Sequence, residues 1–261
     1  MPRYFIEVAY KGTDYAGFQI QKNANTVQAE LEKAMLTKFG SAFQLTGSSR
    51  TDAGVHALQN YFHFDVDDKF FSLLGEKEQD EFFGQSVYNL NAMMPDDIAV
   101  KRIFRVTDDF HCRYDAISRQ YRYYIHSSKN PFYKDVAHYY PYPTDSSRLN
   151  AAAAIVLQTE DFSSFSKRNT QVNNFFCTIY RSEWKTENDF LVYEVVANRF
   201  LRGMVKGLVG TMLKVGTGKI SMEDFTEIIR SGDCTRADFS VSSKGLFLIK
   251  VTYNDFEPGQ V

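Results

Sequence analysis

A chain of 261 residues with 44% apolar and 24% charged side chains can bury one large core or two modest ones, and its composition is not that of a disordered protein. Its 30 basic and 32 acidic side chains leave a formal charge of −2, so binding to a phosphate backbone would have to rest on local clustering rather than a positive total. The cysteines (Cys112, Cys177, Cys234) are isolated and odd in number, with no C-x-x-C pair and no expected histidine cluster beside them, which argues against a disulfide framework or zinc site and fits a reducing cytosol.

The first residues, Met1-Pro2-Arg3-Tyr4-Phe5, enter a strand pattern over 3–10 without a signal-peptide core. A loop containing glycine follows at 11–25. Thr26, with Glu30 and Leu31 at helical offsets, predicts a helix to about Lys38 that Gly40 ends. Short strand signals at 42–47 and 60–66 flank a loop holding Asp52. The stretch 65–81, acidic overall, reads as a solvated edge, then a helix is expected over 79–92 and a strand over 98–104.

The second half has a similar order of elements without a sequence repeat. It predicts an aromatic strand at 119–126, a helix at 145–157, strands at 175–184 and 190–197, helices at 201–215 and 221–231, and a closing strand at 245–253. The expected fold is α+β: two related lobes, 1–106 and 107–261, of mixed or antiparallel sheet with helices packed on one side and an active-site cleft between them. No apolar run reaches the roughly 20 residues that span a bilayer, so a cytoplasmic protein with no membrane partner is expected.

Three clusters could carry chemistry. Asp52 lies among small residues in Gly47-Ser48-Ser49-Arg50-Thr51-Asp52-Ala53-Gly54. If that segment is extended, Arg50 and Asp52 share a face, and a cation near an aspartate keeps it ionised and able to act as a nucleophile. The same residues also suit a plain turn. The loop of aspartic proteases is a poor match, because Ala53 lacks the hydroxyl that loop supplies. On a strand, Arg119, Tyr121 and Tyr123 share one face and Gln120, Arg122 and Tyr124 the other, a pattern that can hold phosphate and stack on a base or form an amphipathic edge. Residues 199–219 carry Arg199, Arg202, Lys206, Lys214 and Lys219 and no acid, with Arg202 and Lys206 one helical turn apart. Gly203, Gly207 and Gly210 would let another backbone approach that helix. No Walker A loop, Rossmann fingerprint or metalloprotease motif is present, which fits chemistry without metal, nucleotide or redox cofactor.

These segments resemble one family in order along nearly the whole chain. Gly47-Ser48-Ser49-Arg50-Thr51-Asp52-Ala53-Gly54-Val55-His56-Ala57 is similar to the catalytic signature of the TruA family of tRNA pseudouridine synthases. Lys11 to Gln19, Thr26-Val27-Gln28, Pro95-Asp96-Asp97-Ile98, Phe110-His111-Cys112-Arg113, Tyr121-Arg122-Tyr123, Asp161-Phe162-Ser163-Ser164-Phe165 and Phe200-Leu201-Arg202-Gly203-Met204-Val205 follow the family order. The resemblance implies a homodimer that isomerises uridine at tRNA positions 38, 39 and 40, in the anticodon stem-loop, with neither metal nor organic cofactor. It makes Asp52 the nucleophile, whether it attacks the ribose or removes a ribose proton. Tyr121 would stack on the target base and move a proton, Arg202 would pair with Asp52, and Arg50 would help displace the base. Arg119, Arg122, Arg199 and Lys206 are the expected substrate-binding cations. Departures are Phe18 where many relatives carry Trp, the Ser48-Ser49 pair, and a 237–246 segment without the usual prolines. A catalytically idle tRNA-binding relative and a cofactor-free hydrolase using Asp52 and His56 are the rival readings.

Overall fold

Tyr4, Ile6, Val8 and Tyr10 are buried on alternate positions of strand β1 (Arg3–Tyr10), as the period of an extended chain requires. The computed structural model describes residues 1–67, 70, 76–168 and 174–254, with backbone alone at 76, 77, 79 and 80. Two compact units divide the chain between Ile117 and Ser118, and residues from Lys250 onward belong with the first; the sequence reading divides it at 106/107.

In the first unit, helix α1 (Val27–Phe39) is opened by Thr26, whose Oγ1 accepts from Ala29 N, and closed by Gly40 at φ 66°. Strands β2 (Thr46–Gly47) and β3 (His56–Asp65), helix α2 (Glu76–Met93) and strand β4 (Ile98–Val106) complete it. The strands run β4-β1-β3 and are antiparallel, with β2 against β3. β2 is much shorter than the strand expected over 42–47, because only Thr46 and Gly47 find partners, His63 and Phe62. β3 begins four residues before the expected strand, immediately after the Asp52 loop. Tyr4 packs on Phe64 and Phe83, while Phe5 on the other face meets Phe104, Phe110 and Tyr253. The acidic stretch expected to be a solvated edge lies partly outside the described residues.

In the second unit, β5 (Ala116–His126, which enters this unit at Ser118) pairs antiparallel with β8 (Phe190–Ala197), which pairs antiparallel with β7 (Ile179–Glu187). A two-residue strand, β6 (His138–Tyr139), adds a parallel pair to β5. Helix α3 (Ser146–Leu157) starts at Asp145, whose carboxylate accepts from Ser147 N and Arg148 N. Helix α4 (Met204–Gly216) is almost wholly buried and forms the core of the unit. Helix α5 (Met222–Ser231) opens with a capping box between Ser221 and Asp224. The closing strand β9 (Leu246–Tyr253) contributes its first half to this unit and its second half to the first. The fold is therefore α+β with mostly antiparallel strands, as expected.

Both units solve the same edge problem in the same way. An outermost strand exposes unpaired N–H and C=O groups, which are templates for unwanted pairing unless covered. In the first unit Asn91 of α2 donates from Nδ2 to Val100 O (2.8 Å) and accepts at Oδ1 from Val100 N (2.8 Å). In the second, Asn150 of α3 does the same to Trp184 O (3.0 Å) and N (2.9 Å). A helix amide thus stands in for a neighbouring strand. Asn91→Ala and Asn150→Ala should each lower unfolding free energy by about 1–3 kcal/mol, since each leaves a donor and an acceptor without partners. Urea denaturation measures this; losses under about 0.5 kcal/mol for both variants would show that the edges are satisfied by other means.

Candidate active site

The Asp52 loop is held from below. Asn60 of β3 is fully buried and uses its whole amide. Its Oδ1 accepts from Ser48 Oγ (2.7 Å) and Tyr61 N (3.0 Å), and its Nδ2 donates to Ser49 O (3.1 Å) and Tyr10 Oη (3.1 Å). Tyr10 in turn meets Thr51 Oγ1 at 2.8 Å. Arg113 donates from Nη2 to Gly47 O (3.0 Å), fixing the start of the segment.

The opening loop clamps the other side. Phe18 N donates to Thr51 O (3.1 Å), Gly54 N to Tyr15 O (3.3 Å) and Gly12 N to His56 Nδ1 (3.1 Å). Gly12 cannot be replaced there without movement, because a Cβ would sit on the Val55 carbonyl. Lys11 N donates to Asp97 O and Tyr15 Oη to Asp97 Oδ1, so the Pro95–Ile98 segment secures this loop as well. Phe18 is buried against Phe62 and Gly47, which makes it a prop for the loop.

Thr51 is buried, Asp52 is half-buried and Arg50 is exposed. Thr51 is thus the inward side chain between exposed Arg50 and half-buried Asp52. Beyond it, Val55 N donates to Asp52 O across a tight turn with Gly54 at φ 76°. The turn geometry and the presentation of an acid therefore coexist.

In the second unit, Arg119 is buried and donates from Nη1 to Asn198 O (2.9 Å), and the ring of Tyr121 lies edge-on to Phe200 at 4.9 Å. The face of β5 carrying Arg119 and Tyr121 thus meets the segment leading to Arg202. Arg202 itself is exposed and precedes α4, which begins only at Met204 after Gly203 at φ 75°; it is not on the helix expected from 201. Its carbonyl accepts from Lys167 N (3.0 Å). Arg202 and Lys206 therefore do not form a stripe along one helix face. Lys206 Nζ reaches Ser243 Oγ (3.3 Å), Lys214 pairs with Asp238 (3.1 Å), Lys219 lies over the Tyr142 ring, and Arg199 donates to Asn174 Oδ1 (3.1 Å). The expected close backbone approach does occur at Gly210, where a Cβ would collide with the Asp238 carbonyl.

Arg122 lies on the opposite face of β5, where it binds Glu194 (2.6 Å) and Glu187 (3.3 Å). Burial acts to raise the pKa of Glu194, but Arg122, Lys185 and Arg181 outweigh it and hold the carboxyl below its ordinary range. Glu7 and Arg102 (2.6 Å) form a comparable pair across β1 and β4.

The expectation that no histidine joins a cysteine is overturned. β3 brings His63 to His111 and Cys112, with one donor atom from each within 4.8 Å of the others. Their hydrogen bonds suit a neutral cluster better than a metal cage. His63 Nδ1 accepts from Cys112 N (3.2 Å), His111 Nδ1 from Arg113 N (3.1 Å), and Cys112 Sγ donates to Thr46 O (3.0 Å). A neutral imidazole that accepts at Nδ1 carries its proton on Nε2, whereas a metal-bound ring donates its second nitrogen to a neighbour.

A family model described as tRNA pseudouridine synthase matches residues 6–115 and 152–254, a span that includes the Asp52 loop, β8 and α4. The chain belongs to the tRNA pseudouridine synthase family. It is 38% identical over 253 residues to tRNA pseudouridine synthase A of Parabacteroides distasonis, covering 97% of this chain and 96% of the relative. The protein of the same name from Bacteroides fragilis is 39% identical over 252 residues (96% of each chain), and that from Staphylococcus aureus 35% over 257 (98% and 93%). Tyr10 and Asn60 support the Asp52 loop, and sequence reasoning overlooked both. Neither falls in a recognisable motif, and only strand pairing brings them under the loop.

His63 provides a pH test of this scaffold. Burial foremost, then Arg3, His111 and Arg113, push its pKa down to about 4, against a smaller opposing pull from Asp65. Below about pH 6.5 the unfolded chain takes up a proton that the folded chain refuses, so stability is full above that pH and falls until about pH 4. His63→Asn keeps an acceptor near the Nδ1 position but does not titrate. Between about pH 7.5 and pH 4.5 the wild-type melting temperature should fall by at least about 4 °C more than the variant's; parallel curves would remove His63 from the acid response.

Proposed function

We propose that this protein isomerises uridine to pseudouridine in tRNA, at positions 38, 39 and 40 of the anticodon stem-loop, with Asp52 as the nucleophile and no metal or organic cofactor. The observation that carries the proposal is the build of the Asp52 loop. A loop pinned on both sides by buried hydrogen bonds leaves Arg50 exposed and Asp52 half-buried in a chain that belongs to this enzyme family. We place the working enzyme in the cytoplasm, as a homodimer; no helix among the described residues is long and apolar enough to cross a membrane.

The reaction conserves composition. The bond from uracil N1 to ribose C1′ breaks, a bond from C5 to C1′ forms, the C5 proton leaves and N1 gains one. No electron acceptor is needed, which is why a carboxylate and protein hydrogen bonds suffice. Asp52 initiates cleavage, either by attack on the ribose or by taking a ribose proton. In this reading Arg202 pairs with that carboxylate and keeps it ionised, Tyr121 stacks on the base and moves a proton, and Arg50 helps displace the target base. Arg199 and Lys206 contact phosphate. Arg119 and Arg122 are already committed within the fold, to the Asn198 carbonyl and to Glu194, so their contribution is to shape the substrate surface.

Tritium release from tRNA labelled at uridine C5 tests the reading directly. Wild type should release tritium and Asp52→Ala should lose at least about 1,000-fold in rate; release by both or by neither would reject Asp52 as nucleophile, and the latter would favour an idle tRNA-binding relative. Arg202→Ala should reduce turnover far more than tRNA affinity. The opposite pattern would make Arg202 chiefly a phosphate contact.

A further inference from the structure

We propose that Tyr10 is a positioning residue for the Asp52 carboxylate, acting through the side chain of Thr51 and fixed in turn by Asn60. The inference rests on the reading of Asp52 as nucleophile given above.

The hydrogen bonds form one continuous buried chain from Asn60 to Thr51. Asn60 Oδ1 accepts from Tyr61 N and Ser48 Oγ, which orients the amide so that Nδ2 donates. One of its protons goes to Ser49 O and the other to Tyr10 Oη. Tyr10 Oη, which accepts there, also shares a hydrogen bond with Thr51 Oγ1, 2.8 Å away, in which either hydroxyl can donate. All three residues are buried, so water cannot substitute for a lost partner. Burial also pushes the Tyr10 phenol up to about 12, so the hydroxyl stays neutral at physiological pH.

Thr51 is the residue before Asp52, and it is held at two points: Oγ1 by Tyr10 and the carbonyl by Phe18 N. A β-branched side chain has few χ1 options, so anchoring its oxygen also fixes the local backbone. The Tyr10 hydroxyl therefore controls where the next Cα, that of Asp52, points its carboxylate. Misplacing a reacting group by about 1 Å costs on the order of 100-fold in rate.

Tyr10→Phe and Thr51→Val each remove one hydroxyl and keep the packing shape. Single-turnover rates with excess enzyme on tRNA, tRNA Kd and melting temperature are measured for both, for the double variant, for Thr51→Ser and for Asp52→Ala. Each single variant should slow the chemical step by about 10-fold or more with Kd within about 2-fold. The double variant should be little slower than either single one, and Thr51→Ser, which retains Oγ, should recover most of the rate. If Tyr10→Phe does not fold, Thr51→Val and Thr51→Ser still decide. Wild-type rates in Thr51→Val, or a loss in Kd matching that in rate with no recovery in Thr51→Ser, would overturn the positioning role. An active Asp52→Ala would instead overturn the underlying reading.

Discussion

The side chain of Asn60 makes four hydrogen bonds in a place where water has no access, and the geometry of the Asp52 loop follows from that requirement. A primary amide has two donors and one carbonyl oxygen; leaving any of them unmatched at full burial costs more than a matched bond gains. The positions of Ser48, Ser49 and Tyr10 are thus mutually constrained, and Thr51 is constrained through Tyr10. The opening loop adds backbone bonds from Phe18, Gly54 and Gly12 on the other side. The short stretch that carries exposed Arg50 and half-buried Asp52 is thus supported by hydrogen bonds from β1, β3 and the opening loop.

The same economy appears in the sheets. Each unit pairs a carboxylate on an inner strand with an arginine on its outer neighbour, Glu7 with Arg102 and Glu194 with Arg181. Each also covers the outer strand with one helix asparagine. In both pairs the carboxylate is the more deeply buried partner, so its desolvation offsets much of the attraction, while removing the arginine would leave the buried charge with one partner fewer. Their recurrence alongside the asparagine caps indicates that register and edge protection are what these residues secure in both units.

Much of this was legible in the sequence. Thr26 and Gly40 bound α1, Asp145 opens α3 and Ser221 opens α5 where local capping chemistry put them, and the alternating strand over 190–197 is β8. The family order of motifs was readable for the same reason: each is a contiguous run. Several of those runs are partly structural. Arg113 fixes Gly47, Asp97 secures the opening loop and Ser164 donates to Ile228 O (2.6 Å). The errors came where a side chain's partner is distant in sequence. The basic run at 199–219 looked like one helix face, yet Gly203 breaks it at Arg202 and the helix beyond is core. The alternation of β5 was read correctly, with Arg122 on the face opposite Tyr121, but the sequence could not show that Glu194 is its partner there.

The sequence by itself determined the α+β class, most element positions, the family and the Arg50–Asp52 loop, because helix caps, strand periodicity and motif order are local properties of the chain. Only the tertiary structure decided what holds that loop: Tyr10 and Asn60 are 50 residues apart and meet through the pairing of β1 with β3. It likewise decided that His63 sits against Cys112, and that asparagines on α2 and α3 close the strand edges. Such contacts depend on the registry of strands and the packing of helices, which no window of neighbouring residues contains. The segment around Asp52 was therefore recognisable from its residues together with the ordered motifs downstream, while the contacts that hold it belong to the fold.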